Sequence, residues 1–185
     1  MVQMSDSVFT ERGKDFGAYT GDMPRASQRG FRARFEAAGD TVNQDVIQRW
    51  QDQVKRSRGL NLVVFSEGWC GDCRFNVPYV AYLASVVQGL ELRCFSRDED
   101  GDLFKGFFPN SGKIPSILVF TEDWREIGRW VERPEPVRRI LEVGDEDRIR
   151  EMRVKYAQGA YANAVLQEIL ALAQSSSLMS PARSD

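Results

Sequence analysis

The chain contains no histidine. That absence removes the Ser-His-Asp and Cys-His arrangements, histidine-ligated zinc and the imidazole general base in one stroke. Cysteine is scarce too: three residues in 185 are too few for a disulfide framework, so a close pair reads first as redox or metal chemistry. No apolar run approaches the roughly 20 residues of a membrane span. The start, Met1 to Asp6, has neither a charged n-region nor an apolar h-region, so no secretory leader is expected and the expected setting is the cytoplasm. Neither sign of charge dominates, with 25 basic against 27 acidic residues and a net charge of −2, which gives no electrostatic reason to expect nucleic acid or a membrane surface as partner.

What is present is ordinary for one globular domain: 42% hydrophobic and 28% charged residues. The first forty residues carry scattered apolar anchors, Phe9, Phe16 and Tyr19, and a short helix is expected around Phe31 and Phe35. Thr41 and Gln44 fit a capping box for a helix bearing Val46, Trp50 and Val54, stopped near Gly59. Leu60 to Ser66 reads as a buried strand, and Phe75 to Val87 as a helix. Leu90 to Phe95 is a second strand, Leu103 to Phe108 a short helix, Ile114 to Phe120 a third strand and Glu126 to Val131 a fourth. A short helix through Leu141 follows. Asp145 is then expected to cap one long helix whose apolar stripe runs from Ile149 to Ile169 and packs on the domain, leaving the chain a monomer. Gln174 to Asp185 is expected to fray. This order predicts an α/β fold with a mixed sheet covered on both faces. It divides into a helical extension over 1–59, a core over 60–143, and a C-terminal helix and tail over 144–185.

The chemistry concentrates in Trp69-Cys70-Gly71-Asp72-Cys73, at the junction of a buried strand and a helix. Cysteines at i and i+3 in a first helical turn are neighbours, so a small disulfide ring can close and reopen. Cys70 falls in the N-cap region, where unpaired amides and the positive end of the helix dipole favour a thiolate, the nucleophile of disulfide exchange. Cys73, one turn inward, is placed to resolve the mixed disulfide. Gly71 and Asp72, between the cysteines, are the candidates for tuning the potential. A carboxylate beside Cys70 opposes the thiolate and so favours a reducing protein. Three other readings stand beside this one. The pair is half of a zinc or iron–sulfur site shared by two chains, or a redundant pair on a binding module, and Cys94 is either core filler or a third redox thiol. The acidic run Asp98 to Asp102 does not make a calcium loop, because an EF-hand starting there would have Leu103 and Pro109 where glycine and glutamate belong; it is expected to be a solvated loop capping the next helix.

In combination the motifs resemble the thioredoxin superfamily: the strand Leu62 to Phe65, Trp69 before the first cysteine, Pro78 five residues after the second, and Ile114-Pro115 leading a strand. The resemblance spans roughly Leu60 to Leu141, and the flanking helices resemble a bacterial thioredoxin-like group. It implies a thioredoxin-like fold with helical N- and C-terminal extensions. It also implies a cis bond at Pro115, backbone groups at Ile114 that hold an incoming peptide as an added strand, and Trp69 as a lid on that groove. The implied activity is thiol–disulfide exchange through Cys70 and Cys73 with no organic cofactor. Its substrates would be disulfide-containing proteins or small molecules, and its electrons would come from a reductase or a low-molecular-weight thiol. The sequence departs from the family pattern in three places. Val64 stands where a buried aspartate is usual, Cys94 where a lysine is usual, and Asp72 where a proline is usual between the cysteines. Proton transfer at Cys73 then falls to water, Glu67 or Asp72.

Overall fold

The structure, a computed structural model, describes residues 6–177. Most of Met1 to Asp6 and of the tail expected to fray lies outside that range. Five N-terminal helices lead the described chain: α1 (Asp6–Arg12), α2 (Phe16–Gly21), α3 (Arg25–Glu36), α4 (Ala38–Thr41) and α5 (Gln44–Ser57). The central part runs β1 (Leu60–Ser66), α6 (Gly71–Val86), β2 (Leu90–Ser96), α7 (Gly101–Phe107), β3 (Ser116–Thr121) and β4 (Glu126–Val131). Helices α8 (Glu135–Val143), α9 (Glu146–Ala157) and α10 (Ala162–Ser177) close it.

The sheet is mixed, in the order β2-β1-β3-β4, with β1 parallel to β2 and antiparallel to β3, and β3 antiparallel to β4. This is the thioredoxin-like architecture with helical extensions. Every residue of β1 is buried, because the strand is flanked on both sides and covered on both faces. On one face Phe65 meets Phe95, Phe104 and Phe108, and Phe9 of α1 packs against Phe107, Phe120 and Trp124. On the other, α6 runs along the sheet with α3 packed over it, and α10 packs against α5, α6 and β4.

Several local expectations change. The Thr41–Gln44 capping box does not form: Thr41 belongs to α4, and its hydroxyl donates to the Ala37 carbonyl. The junction is capped from a distance instead. Asn163 accepts from the Asn43 amide at 2.9 Å and donates to the Thr41 carbonyl at 3.0 Å. The acidic run does not use a side chain to cap α7. Asp100 and Asp102 bind the Arg12 guanidinium, tying α1 to the loop after β2. β3 begins at Ser116, so Ile114 and Pro115 precede the strand. The single long helix expected after Gly144 is two helices, and helix continues through Gln174 to Ser177. Asp145 does cap the first of them, accepting from the Arg148 amide.

The break between α9 and α10 falls at Gly159, whose φ of +85° lies in the left-handed region that side chains rarely adopt. A Cβ there would also come within 2.1 Å of the Tyr79 hydroxyl. Gly159→Ala combines a left-handed backbone cost with overpacking, and urea unfolding should show a loss of about 2–4 kcal/mol. A loss under about 0.5 kcal/mol would mean that the turn is not constrained this way.

Candidate functional site: a dithiol at the start of α6

Strand β1 ends at the sheet's centre, and a short turn delivers the chain into α6. The turn is closed by the Cys70 amide donating to the Glu67 carbonyl at 3.2 Å. Cys70 is the N-cap residue, with extended backbone at φ −78° and ψ 121°, so its side chain faces the first helical turn. The Cys73 amide donates to Cys70 Sγ at 3.2 Å, and the Cys70 thiol lies 3.5 Å from the Ile114 carbonyl that accepts from it. Cys70 is 9% exposed and Cys73 fully buried. The three cysteines are free thiols.

This geometry divides the two sulfurs. A hydrogen bond from the Cys73 thiol lowers the Cys70 pKa most; burial opposes it, and the Cys73 and Asp72 amides add to the lowering. Burial, followed by the same thiol–thiol contact, pushes Cys73 strongly upward. The thiolate therefore belongs on Cys70 and the retained proton on Cys73.

The other candidates gather around this pair. Trp69 is 65% exposed, which excludes ordinary core packing, and the Arg97 guanidinium lies over its ring at 5.1 Å. Arg97 also donates to the Gly112 carbonyl at 3.0 Å, tying Trp69 to the loop that carries Ile114 and Pro115. The Ile114–Pro115 peptide is cis, and the Pro115 carbonyl accepts from the Glu132 amide at 2.7 Å. Gly71 opens α6, where a Cβ would meet nothing within 4 Å. Glu67 accepts from the Ser96 hydroxyl and the Asp98 amide, so its carboxylate staples the loop after β2.

Asp72 stands differently from its reading as a lone carboxylate. Arg133, just after β4, donates to its Oδ2 at 2.7 Å. The cation offsets part of the charge that would otherwise oppose a thiolate at Cys70. Nothing in the local pattern marked Arg133, because 61 residues separate it from Asp72 and only the fold brings them together. Arg97 escaped for the same reason. Tyr19 is a further residue whose role was not legible: its hydroxyl meets the Ser66 hydroxyl at 2.6 Å in the buried floor below the motif.

Cys94 pairs with Val64 across β1 and β2, and its thiol is fully buried with its pKa pushed up to about 12 by burial. That is the environment of a core thiol. Among the described residues no group of three or more His, Cys, Asp and Glu side chains is placed to hold a metal ion. None of the described helices is long and apolar enough to cross a membrane.

A dithiol at a helix N-terminus, opposite a cis-proline loop on a β2-β1-β3-β4 sheet, defines the thioredoxin class of fold and site. Comparisons with known proteins agree. A family profile described as thioredoxin matches residues 13–153. A thioredoxin H-type from Ricinus communis is 35% identical over 64 residues, which are 33% of this chain and 54% of that protein. The chain thus spans about half the length of that curated relative. A crystal structure of a protein of unknown function from Pseudomonas aeruginosa superposes with a TM-score of 0.75 at 24% identity, covering 94% of this chain and 99% of the other. An HIV epitope-scaffold superposes with a TM-score of 0.74 at 25% identity, covering 93% and 99%. The chain belongs to the thioredoxin family.

Two outcomes test this electrostatic picture. Arg133→Ala should raise the Cys70 pKa and slow its alkylation by iodoacetamide at pH 7 by about two- to fivefold, as expected for removing a partly exposed counter-charge. Adding Asp72→Asn should restore the rate; unchanged kinetics in the single variant would show that the pair does not act on Cys70. The buried Cys94 thiol gives a pH signature. Its folded pKa lies above the ordinary value of 9.0, so the unfolded chain loses this proton first as pH rises. Stability should therefore fall between about pH 9 and 12, and Cys94→Ala should flatten that fall by up to about 1.4 kcal/mol per pH unit in pH-dependent urea titrations.

Proposed function

We propose that the protein is a thiol–disulfide oxidoreductase that works in the reducing direction in the cytoplasm. The observation that carries the exchange chemistry is the Cys73 amide aimed at Cys70 Sγ from 3.2 Å, with the Ile114 carbonyl 3.5 Å from the same sulfur. The reducing direction rests on the Asp72 carboxylate, whose charge still raises the Cys70 pKa beside its Arg133 partner. The Cys70 thiolate attacks one sulfur of a substrate disulfide. A Cys70–substrate disulfide forms, and the second substrate sulfur leaves as a thiolate that takes up a proton. Cys73 then loses its proton to solvent and attacks Cys70 Sγ, forming the Cys70–Cys73 disulfide and releasing the reduced substrate. Two electrons pass from the dithiol to the substrate, and an external reductase or low-molecular-weight thiol returns them. No organic cofactor takes part. Substrates are disulfide-bearing proteins or small molecules, docked by the Ile114 backbone beside Pro115 and covered by Trp69, with Gly71 and Asp72 setting the potential.

A second reading, a non-catalytic thioredoxin-fold interaction module, is favoured by one observation. Cys73 is buried with its proton held, while the nearby carboxylates of Glu67 and Asp72 are engaged by Ser96 and Arg133. Insulin-reduction turbidity separates the two. The oxidoreductase reading expects Cys70→Ser to fall to the uncatalysed rate and Cys73→Ser to accumulate mixed disulfides with substrate. If wild type and Cys70→Ser both run at the uncatalysed rate, the protein is a binding module.

A further inference from the structure

A cleft of about 520 Å³ opens beside the dithiol between the start of α6 and the C-terminal helices. Its floor at the redox end is Gly71 and Asp72, and its walls include Phe75, Leu141 and Met152. Arg133 and Arg153 line it as well. The volume is in the range of ligand-binding clefts, and the lining combines apolar walls with a few charged groups. The wall belongs to a small apolar cluster of its own around Val137, Met152 and Tyr156, separate from the main core.

The charge lining this cleft is net positive, Arg133 and Arg153 against Asp72, although the whole chain carries −2. Arg34 and Arg74 lie over the Phe75 ring at 5.0 and 5.7 Å. Neither they nor Arg153 form an ion pair among the described residues. Arg34 spends its guanidinium on the Gly30 and Ala157 carbonyls, and burial followed by the neighbouring Arg74 lowers its pKa. Arg133 is balanced by Asp72 and Glu132. Arg153 is thus the guanidinium lining the slot that has no carboxylate partner among the described residues, and Arg34 and Arg74, likewise without carboxylates, lie over the ring of its Phe75 wall.

We propose that this cleft is a substrate subsite for an acidic polypeptide segment: a large apolar side chain next to the substrate cysteine enters between Phe75 and Leu141, and acidic side chains following it meet Arg153 at the mouth. The apolar walls distinguish this occupant from a small hydrophilic thiol, which would bury little against Phe75, Leu141 and Met152. The unpaired arginines distinguish it from a basic or neutral segment, since like charges disfavour the wrong partner while opposite charges steer the right one. The subsite rests on the oxidoreductase reading for its role, because it would choose which disulfides reach Cys70. Its existence can be measured without turnover.

The test compares two short fluorescein-labelled peptides by anisotropy against the full chain. Each carries leucine beside a serine that stands for the substrate cysteine; one continues with two glutamates and the other with two lysines. The glutamate peptide should bind about fivefold more tightly at low salt, the scale of one exposed ion pair, and the contrast should shrink as salt rises. Arg153→Glu, an exposed position, should erase or invert the contrast. Equal affinity for the two peptides, or a contrast that survives Arg153→Glu, would overturn the proposal. So would a concentration-dependent dimer that Arg153→Glu weakens, since a second copy would then occupy the cleft. Cys70→Ser should retain the contrast. Absent insulin reduction with the contrast intact would refute the oxidoreductase reading alone.

Discussion

The arrangement turns on one backbone amide. The N–H of Cys73 has no helical carbonyl to reach, because it lies in the first turn of α6, and it points at the sulfur of Cys70 instead. Everything that fixes this amide is structural. β1 is buried along its whole length and cannot shift, so the turn that follows is anchored at one end. Helix α6 is held at the other by α3, by the sheet and by α10. The loop before β3 presents the Ile114 carbonyl to the same sulfur, and the loop after β4 secures it through Glu132 and Pro115. A thiolate at Cys70 needs no histidine, since the Cys73 thiol first, and the main-chain amides beside it, supply what an imidazole supplies elsewhere.

The extensions at the two ends take part in this arrangement. Tyr19 of α2 reaches the floor of the motif at Ser66, and Arg12 of α1 ties down the loop after β2 that also holds Glu67. From the other end, Glu168 of α10 receives the Trp130 indole N–H and the Glu135 amide, fixing the approach to α8 and with it the loop that carries Arg133. Asn76, one turn along α6 from Asp72, donates to the Glu132 carbonyl and to the Tyr156 hydroxyl of α9. Helix α6 is therefore braced by elements distant from it in sequence.

Legibility from sequence followed the range of the forces involved. β1 and β4 were readable to the residue, because apolar runs bounded by turn residues report burial directly. The dithiol was readable because its chemistry is local: two cysteines one turn apart at a strand-to-helix junction. Short α1 and α2 were not readable. Their stability comes from single buried anchors such as Phe9 and Tyr19, which leave no periodic pattern. The Thr41 box failed because Thr41 ends α4 with its hydroxyl bonded back to Ala37, and Asn163 caps the junction from far along the chain. The break at Gly159 left no mark on the apolar stripe, since it rests on a left-handed backbone lying close to the Tyr79 hydroxyl of α6. Arg133 and Arg97 belong to the same group, with partners that only the tertiary fold supplies.

The outer flank of β2 has a consequence for association. The strand lies at the margin of the sheet, where its main-chain groups are open to pairing with a foreign strand. Lys14 occupies this flank midway, exchanging amide and carbonyl bonds with Cys94 at 3.0 and 2.8 Å. One residue between α1 and α2 thus works as a chain terminator for the ladder, and its lysine side chain adds a charge at the site where stacking of strands would begin. The leading helices, whatever they contribute to chemistry, also keep the β2 edge of this sheet from growing beyond its own molecule.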